Sequence, residues 1–280
     1  MSRNNEERTG AHDASDALPK EVTKSLDFVA PTEFVELPSR GRGYGEGHPL
    51  HGEEVVEIRF MTAKDEDILS SETLIKKGIA IERFMQNILV DKRIKTSSLL
   101  IGDRNAIIIA ARRSGYGAMY ETKVMCPDCG ERSQFTFDLN EPKIQESIID
   151  EKFNISATNK GTFIVVPPLT GYKIELRLLT GKEETHLAER MRTAKKKKQQ
   201  ESIISDQLKL MIVSVEGHED QQVVNTYVNN MTTQDSRYLR QAFKAITPDV
   251  RVADDFECPS CGHEQELEVS FGADFFWPDR

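Results

Sequence analysis

Apolar residues along this chain change their spacing several times, and each change marks an element. Residues 1 to 28 are polar, charged and without period, which predicts a flexible arm that orders only against a partner. Val35 and Leu37, and then Val55, Val56, Ile58 and Phe60, predict two short strands around a long loop carrying Gly41, Gly43, Gly45 and Gly52. From Thr62 the spacing turns helical. Asp65, Glu66 and Asp67 suit a first turn, and Ile68, Leu69, Ile75, Ile79, Ile81, Phe84, Met85, Ile88 and Leu89 recur near a 3.6 period. Two helices are expected there, broken at Gly78. A further helix is predicted from a cap at Asp103 through Ala106, Ile107 and Ala110 to Arg113, ended by Gly115 and Gly117.

Beyond it the period becomes two. Val124 precedes one cysteine pair and Phe135, Phe137 and Leu139 alternate after it, a strand, a knuckle and a strand. Strands are predicted at Phe163 to Val166 and Lys173 to Leu178, around a turn from Pro167 to Gly171. Residues 182 to 216 read as largely helical, and helices are expected around Val223 to Val228 and Tyr238 to Ile246, the latter stopping before Pro248. The chain then repeats the strand, knuckle and strand pattern. The fold class is therefore α+β, helical segments combined with antiparallel β-hairpins. Its expected divisions are an arm at 1–28, a strand and helix region at 29–117, a knuckle hairpin at 118–140, a β region at 141–181, a helical region at 182–250, and a second knuckle hairpin with an aromatic C-terminus at 251–280.

Composition supports a folded chain: 38% of the 280 residues are apolar, close to the globular norm once glycine is added. The longest purely apolar stretch runs only from Ala106 to Ala111, so no membrane segment or secretion signal is expected. The net charge of −9 repels phosphate backbones and points to protein partners. Lys195 to Lys198 form a concentrated basic run, read as a solvated face.

Four cysteines are too few for a disulfide scaffold, and they fall in two CPxCG motifs, Cys126 to Gly130 and Cys258 to Gly262. A spacing of two lets both sulfurs of a motif face one centre, and the glycine permits the turn that brings amide donors toward them. Cys126, Cys129, Cys258 and Cys261 together supply the four thiolates of a closed, structural zinc site. An iron–sulfur cluster uses the same ligands, two disulfides use the same thiols, and a thioredoxin-like dithiol uses one such pair. The flanks repeat as well. Phe135, Phe137 and Leu139 lie at +6, +8 and +10 from Cys129, and Leu267, Val269 and Phe271 lie at the same offsets from Cys261. Val124 and Phe256 each stand two residues before the first cysteine of their motif. Two hairpins facing one another across one ion are inferred.

Other chemistry is sparse. The glycine-rich loop lacks the Lys-Ser/Thr ending of a phosphate-binding loop, and no nucleophile elbow, HExxH or dinucleotide fingerprint is present. His48 and His51 share that loop without a further ligand beside them. The chain is not expected to be an enzyme. Phe275, Phe276 and Trp277, with Tyr44 in the glycine loop, are candidate aromatic anchors for a partner, the alternative for the first three being packing on the chain's own zinc module.

The ordered set VELPSRGRGYGEG, VEIRFMTAKDEDIL, IGDRNAIIIAARRSGYGAMYETKVMCPDCG, the second CPSCG and the terminal FFWP resembles the baseplate hub protein family of T-even-type contractile-tail bacteriophages, over about residues 33 to 278. The resemblance implies a component or assembly factor of the central hub. Its partners would be other baseplate and tail proteins, its place the virion baseplate and, during assembly, the host cytoplasm, and it carries no catalytic residues to transfer. Two rival readings are a zinc-ribbon adaptor binding nucleic acid through Arg40, Arg42 and Lys195 to Lys198, and a thiol oxidoreductase.

Overall fold

A computed structural model describes residues 30–147, 153–196 and 203–277. The expected arm at 1–28 lies outside them, as do Lys197 and Lys198 of the basic run.

The first alternating segments form an antiparallel pair, β1 (Thr32–Glu36) and β2 (Val55–Arg59), with Val35 opposite Val56. Val35, Val56 and Ile58 turn inward, as their alternation expects. Three helices follow where two were expected: α1 (Ala63–Ser70), α2 (Glu72–Lys77) and α3 (Ala80–Ile88). Gly78 does break the run, in the left-handed region at φ 72°, but Ser71 breaks it once more in an extended conformation. Asp65 is at the third position of α1, where its carboxylate accepts from the amide and hydroxyl of Thr62, from the Arg59 guanidinium at 2.6 and 2.9 Å, and from Asn87 at 2.6 Å. The carboxyl is fully buried, which alone would raise its pKa, yet these donors bring it below the usual range.

Helix α4 (Ile101–Tyr116) is the centre of the molecule. It begins before Asp103, which is therefore no cap, and it runs through Gly115. Every residue from Ala106 to Arg112 is buried, so the middle two turns of the helix lie within the fold. Gly102 shows how closely it is packed, because a Cβ there would stand 2.3 Å from the carbonyl oxygen of Pro248.

The chain continues into the hairpin β3 (Met119–Met125) and β4 (Arg132–Asp138), then into the short β5 (Lys143–Gln145). A four-stranded antiparallel sheet follows, β6 (Ile155–Ala157), β7 (Thr162–Val165), β8 (Ile174–Arg177) and β9 (Ile212–Val215), paired in that order. Strand β9 corrects the helical reading of 182 to 216. Helices α5 (Gly181–Lys196) and α6 (Ile203–Met211) fill most of that stretch, but the β-branched Ile212 and Val213 and the buried Val215 pair with β8 instead. Helices α7 (Gln221–Asn230) and α8 (Thr233–Ile246) lead to β10 (Asp249–Arg251), which pairs with β5 and packs on α4, and to the last hairpin, β11 (Ala253–Glu257) and β12 (Glu264–Glu268). One continuous core runs from Val35 to Phe276 through α3, α4, α8 and the four-stranded sheet. The architecture is α+β. Among the described residues no helix is long and apolar enough to cross a membrane.

The C-terminal aromatics enter that core rather than facing outward. Phe275 and Phe276 are each 1% exposed. The Phe275 ring packs on Tyr120 and Phe271, and the Phe276 ring on Phe84 and Tyr116. Trp277 lies partly buried against Tyr116. Buried Arg112 lies over the Tyr116 and Tyr120 rings, at 4.8 and 5.8 Å, and donates to the Phe275 carbonyl at 3.3 Å. Phe275 and Phe276 fasten the end of the described chain to α3, α4 and β3 and are not exposed anchors, whereas Trp277 keeps part of its surface open.

Candidate metal centre

The two hairpins place their tips together. In each, a cysteine directly follows the first strand, and its amide closes a six-residue loop onto the last loop residue: Cys126 N–H to the Glu131 carbonyl, and Cys258 N–H to the His263 carbonyl, both at 2.9 Å. Gly130 and Gly262 donate back to Cys126 and Cys258 at 3.0 and 2.9 Å. Both glycines lie in the left-handed region, at φ 74° and 68°, where a Cβ is costly.

All four sulfurs lie within 4.8 Å of one another, and Cys126 to Cys261 and Cys129 to Cys258 are each 3.7 Å apart. A disulfide needs about 2.05 Å, so these are free thiols. Four thiolates at about 2.3 Å from a central ion span tetrahedron edges of about 3.8 Å. The cluster therefore matches the size of a four-thiolate metal site and can hold an ion. His263 contributes its carbonyl to the loop and no ligand atom to the cluster.

Backbone dipoles treat the two motifs alike. The amides of Cys129 and Asp128 lie against Cys126 and lower its pKa, and those of Ser260 and Cys261 hold Cys258 down at about 7. Cys261 accepts from the His263 amide, but burial and the three neighbouring sulfurs push it up to about 12. Cys129 accepts from the Glu131 amide and is raised overall by burial and by Cys126 and Cys258. Four sulfurs this close resist becoming four anions, and a cation among them removes the conflict.

The repeated flanks explain how the tips are braced. Val124, Phe135, Phe256 and Leu267 enclose Cys126 and Cys258 in a small apolar cluster, with the Phe135 and Phe256 rings edge to face at 5.6 Å. These are the residues at −2 and +6 in the two motifs. Those at +8 and +10, Phe137 and Leu139 with Val269 and Phe271, reach the main core instead. The −2 and +6 positions brace the sulfur cluster, and the +8 and +10 positions anchor each hairpin.

Tyr44, expected as an exposed anchor, is 4% exposed and belongs to a buried polar network. Its hydroxyl donates to the Asp103 carboxylate at 2.7 Å and accepts from the Leu100 amide at 3.1 Å. The same carboxylate accepts from the Ser39 amide and hydroxyl at 3.0 and 2.6 Å. His48 stacks on the Tyr44 ring with centroids 4.4 Å apart, and its ring nitrogens engage Ser98 and Leu50. His51 bonds the Tyr44 carbonyl at 2.7 Å. The glycine-rich loop is thus sewn onto α4, and its histidines serve that loop. Arg40, invoked for nucleic acid, pairs with Glu146 at 2.6 Å.

Fold and cluster define a class, an α+β protein whose two distant hairpins meet at a closed set of four thiols. The chain belongs to the T4 bacteriophage base plate protein family, whose model matches residues 31–277. Comparison with curated proteins and with solved structures finds no match. Membership assigns the chain to the baseplate of the phage virion, with other phage tail proteins as its partners.

Proposed function

We propose that this is a non-enzymatic structural or assembly protein of the baseplate hub, acting through protein–protein contacts while a zinc ion on Cys126, Cys129, Cys258 and Cys261 clasps a zinc-ribbon-like module. The family match over residues 31–277 carries the reading. The zinc assignment is supported by sulfurs 3.7 Å apart in an all-thiolate set with no open position, the kind of site that stabilises a fold and performs no reaction. The protein would meet its partners in the host cytoplasm and reach the virion with the hub.

The test is purification of tagged protein from infected cells, followed by separation of central hub from peripheral baseplate pieces and elemental analysis. Co-purification with the hub or its precursors, with one zinc per chain, is expected. Recovery only with peripheral pieces overturns the hub assignment, and iron in place of zinc overturns the metal.

A further inference from the structure

Strand β1 has one edge in use and one open. Leu37 N–H bonds the Glu54 carbonyl at 2.8 Å, and Phe60 N–H bonds the Pro31 carbonyl at 2.8 Å, in register with the Val35 and Val56 pair. Odd-numbered residues of β1 therefore direct their backbone groups at β2, and Thr32, Phe34 and Glu36 direct theirs away. Among the described residues nothing bonds those outward groups. An edge of this kind is a template for another strand.

Beside these residues lies a groove of about 430 Å³. Its walls include Phe34, 68% exposed, and Ile144 of β5, 56% exposed, and its floor includes Ala106, Ile109 and Ala110 of α4. Three charges stand at its rim. Arg113 faces Glu33 at 3.9 Å, whereas among the described residues Glu36 and Glu141 have no ion pair. The groove thus offers backbone pairing, apolar walls and uncompensated negative charge.

We propose that this edge and groove receive an extended segment of another baseplate or tail protein, which adds as a strand to β1, seats alternate apolar side chains between Phe34 and Ile144, and sets a Lys or Arg against Glu36 or Glu141. Pairing of this kind takes affinity from main-chain bonds and specificity from the alternate side chains. A second copy of this chain fits less well because each copy carries −9, and residues 1–29 contain more acidic than basic side chains. The inference rests on the reading that the protein works through tail-protein contacts, and it states where one such contact lies.

The full-length chain carrying a photoreactive benzoylphenylalanine in place of Phe34, or separately of Ile144, is supplied to infected cells whose phage lacks its own copy. After irradiation, tail assemblies are purified and the adducts are sequenced. Both positions should mark one stretch of one other tail protein, alternating in apolar residues and bearing Lys or Arg. Adding Glu36→Pro removes one outward N–H without touching the bonds to β2, and should lower the adduct about tenfold with an unchanged melting temperature. Adducts to residues 1–29, to a second copy, or to nothing overturn the proposal while the protein is still found in tail assemblies. Absence of the protein from those assemblies overturns the function above as well.

Discussion

Removing one oxygen atom tests the buried network that holds the glycine-rich loop. In Tyr44→Phe the Leu100 amide loses its acceptor, and the Asp103 carboxylate loses one of its three donors. Both sites are shielded from water, and each unsatisfied buried group costs about 1–3 kcal/mol, so the variant should be destabilised by about 2–4 kcal/mol. For a chain of this size that is a fall of about 5–15 °C in melting temperature. Urea titrations should show a lower midpoint with an unchanged slope.

The pH dependence separates this cause from loose packing. Burial raises the Asp103 carboxyl above its usual range, while hydrogen bonds from Ser39 and Tyr44 pull it back. An acid raised on folding contributes stability below its unfolded pKa, and that contribution is lost as pH rises through the folded value. Taking away the Tyr44 hydroxyl raises the folded value further. The variant therefore trails the parent most at neutral pH, and the gap narrows as pH falls toward the ordinary carboxylate range, leaving the pH-independent cost of the Leu100 amide. Tyr44 itself stays neutral throughout, since burial and Asp103 hold its pKa well above the usual value. A loss under about 0.5 kcal/mol, or a gap that stays constant from about pH 4 to pH 8, would refute the assignment.

Other consequences follow from the packing. Cys258→Ser should abolish metal binding by elemental analysis and release a closed loop worth about 5 kcal/mol in chain entropy, a calorimetric loss of about 10–20 °C; an unchanged midpoint would mean no clasp operates. Gly102→Ala should cost about 1–3 kcal/mol in denaturant titration, because its Cβ meets Pro248. Asp65→Asn should cost about 3 kcal/mol by leaving Arg59 without its anion. The parent loses the stability of that pair as pH falls through the depressed Asp65 value, so the variant should be flatter in acid.

The cysteine centre was legible because everything it needs is local and repeated. The CPxCG spacing, the glycine and the offsets of Val124, Phe135, Phe256 and Leu267 are short-range patterns, and all of them converge in space. Tyr44 was misread because glycine and polar neighbours suggest exposure, whereas its burial depends on Asp103, 59 residues away. The partners of Phe275 and Phe276 were hidden for the same reason, since nothing beside them announces Phe84, Tyr116 and Tyr120. The pairing of β5 with β10 joins three-residue strands about a hundred residues apart and has no period to detect. In β9 the helical spacing of α6 passes directly into Ile212, and only the neighbouring β8 decides the switch.

Helix α4 is finished only by residues made long after it. Pro248 and β10 cover one of its sides, Phe275 receives Arg112, and the second thiol pair completes the first. At ribosomal speeds of about 5–20 residues per second, its greasy surface waits roughly 10–30 s for that cover during synthesis. Translation that stops short of these residues leaves a nascent chain unable to close, which ties the supply of assembly-competent subunits to complete synthesis through Trp277.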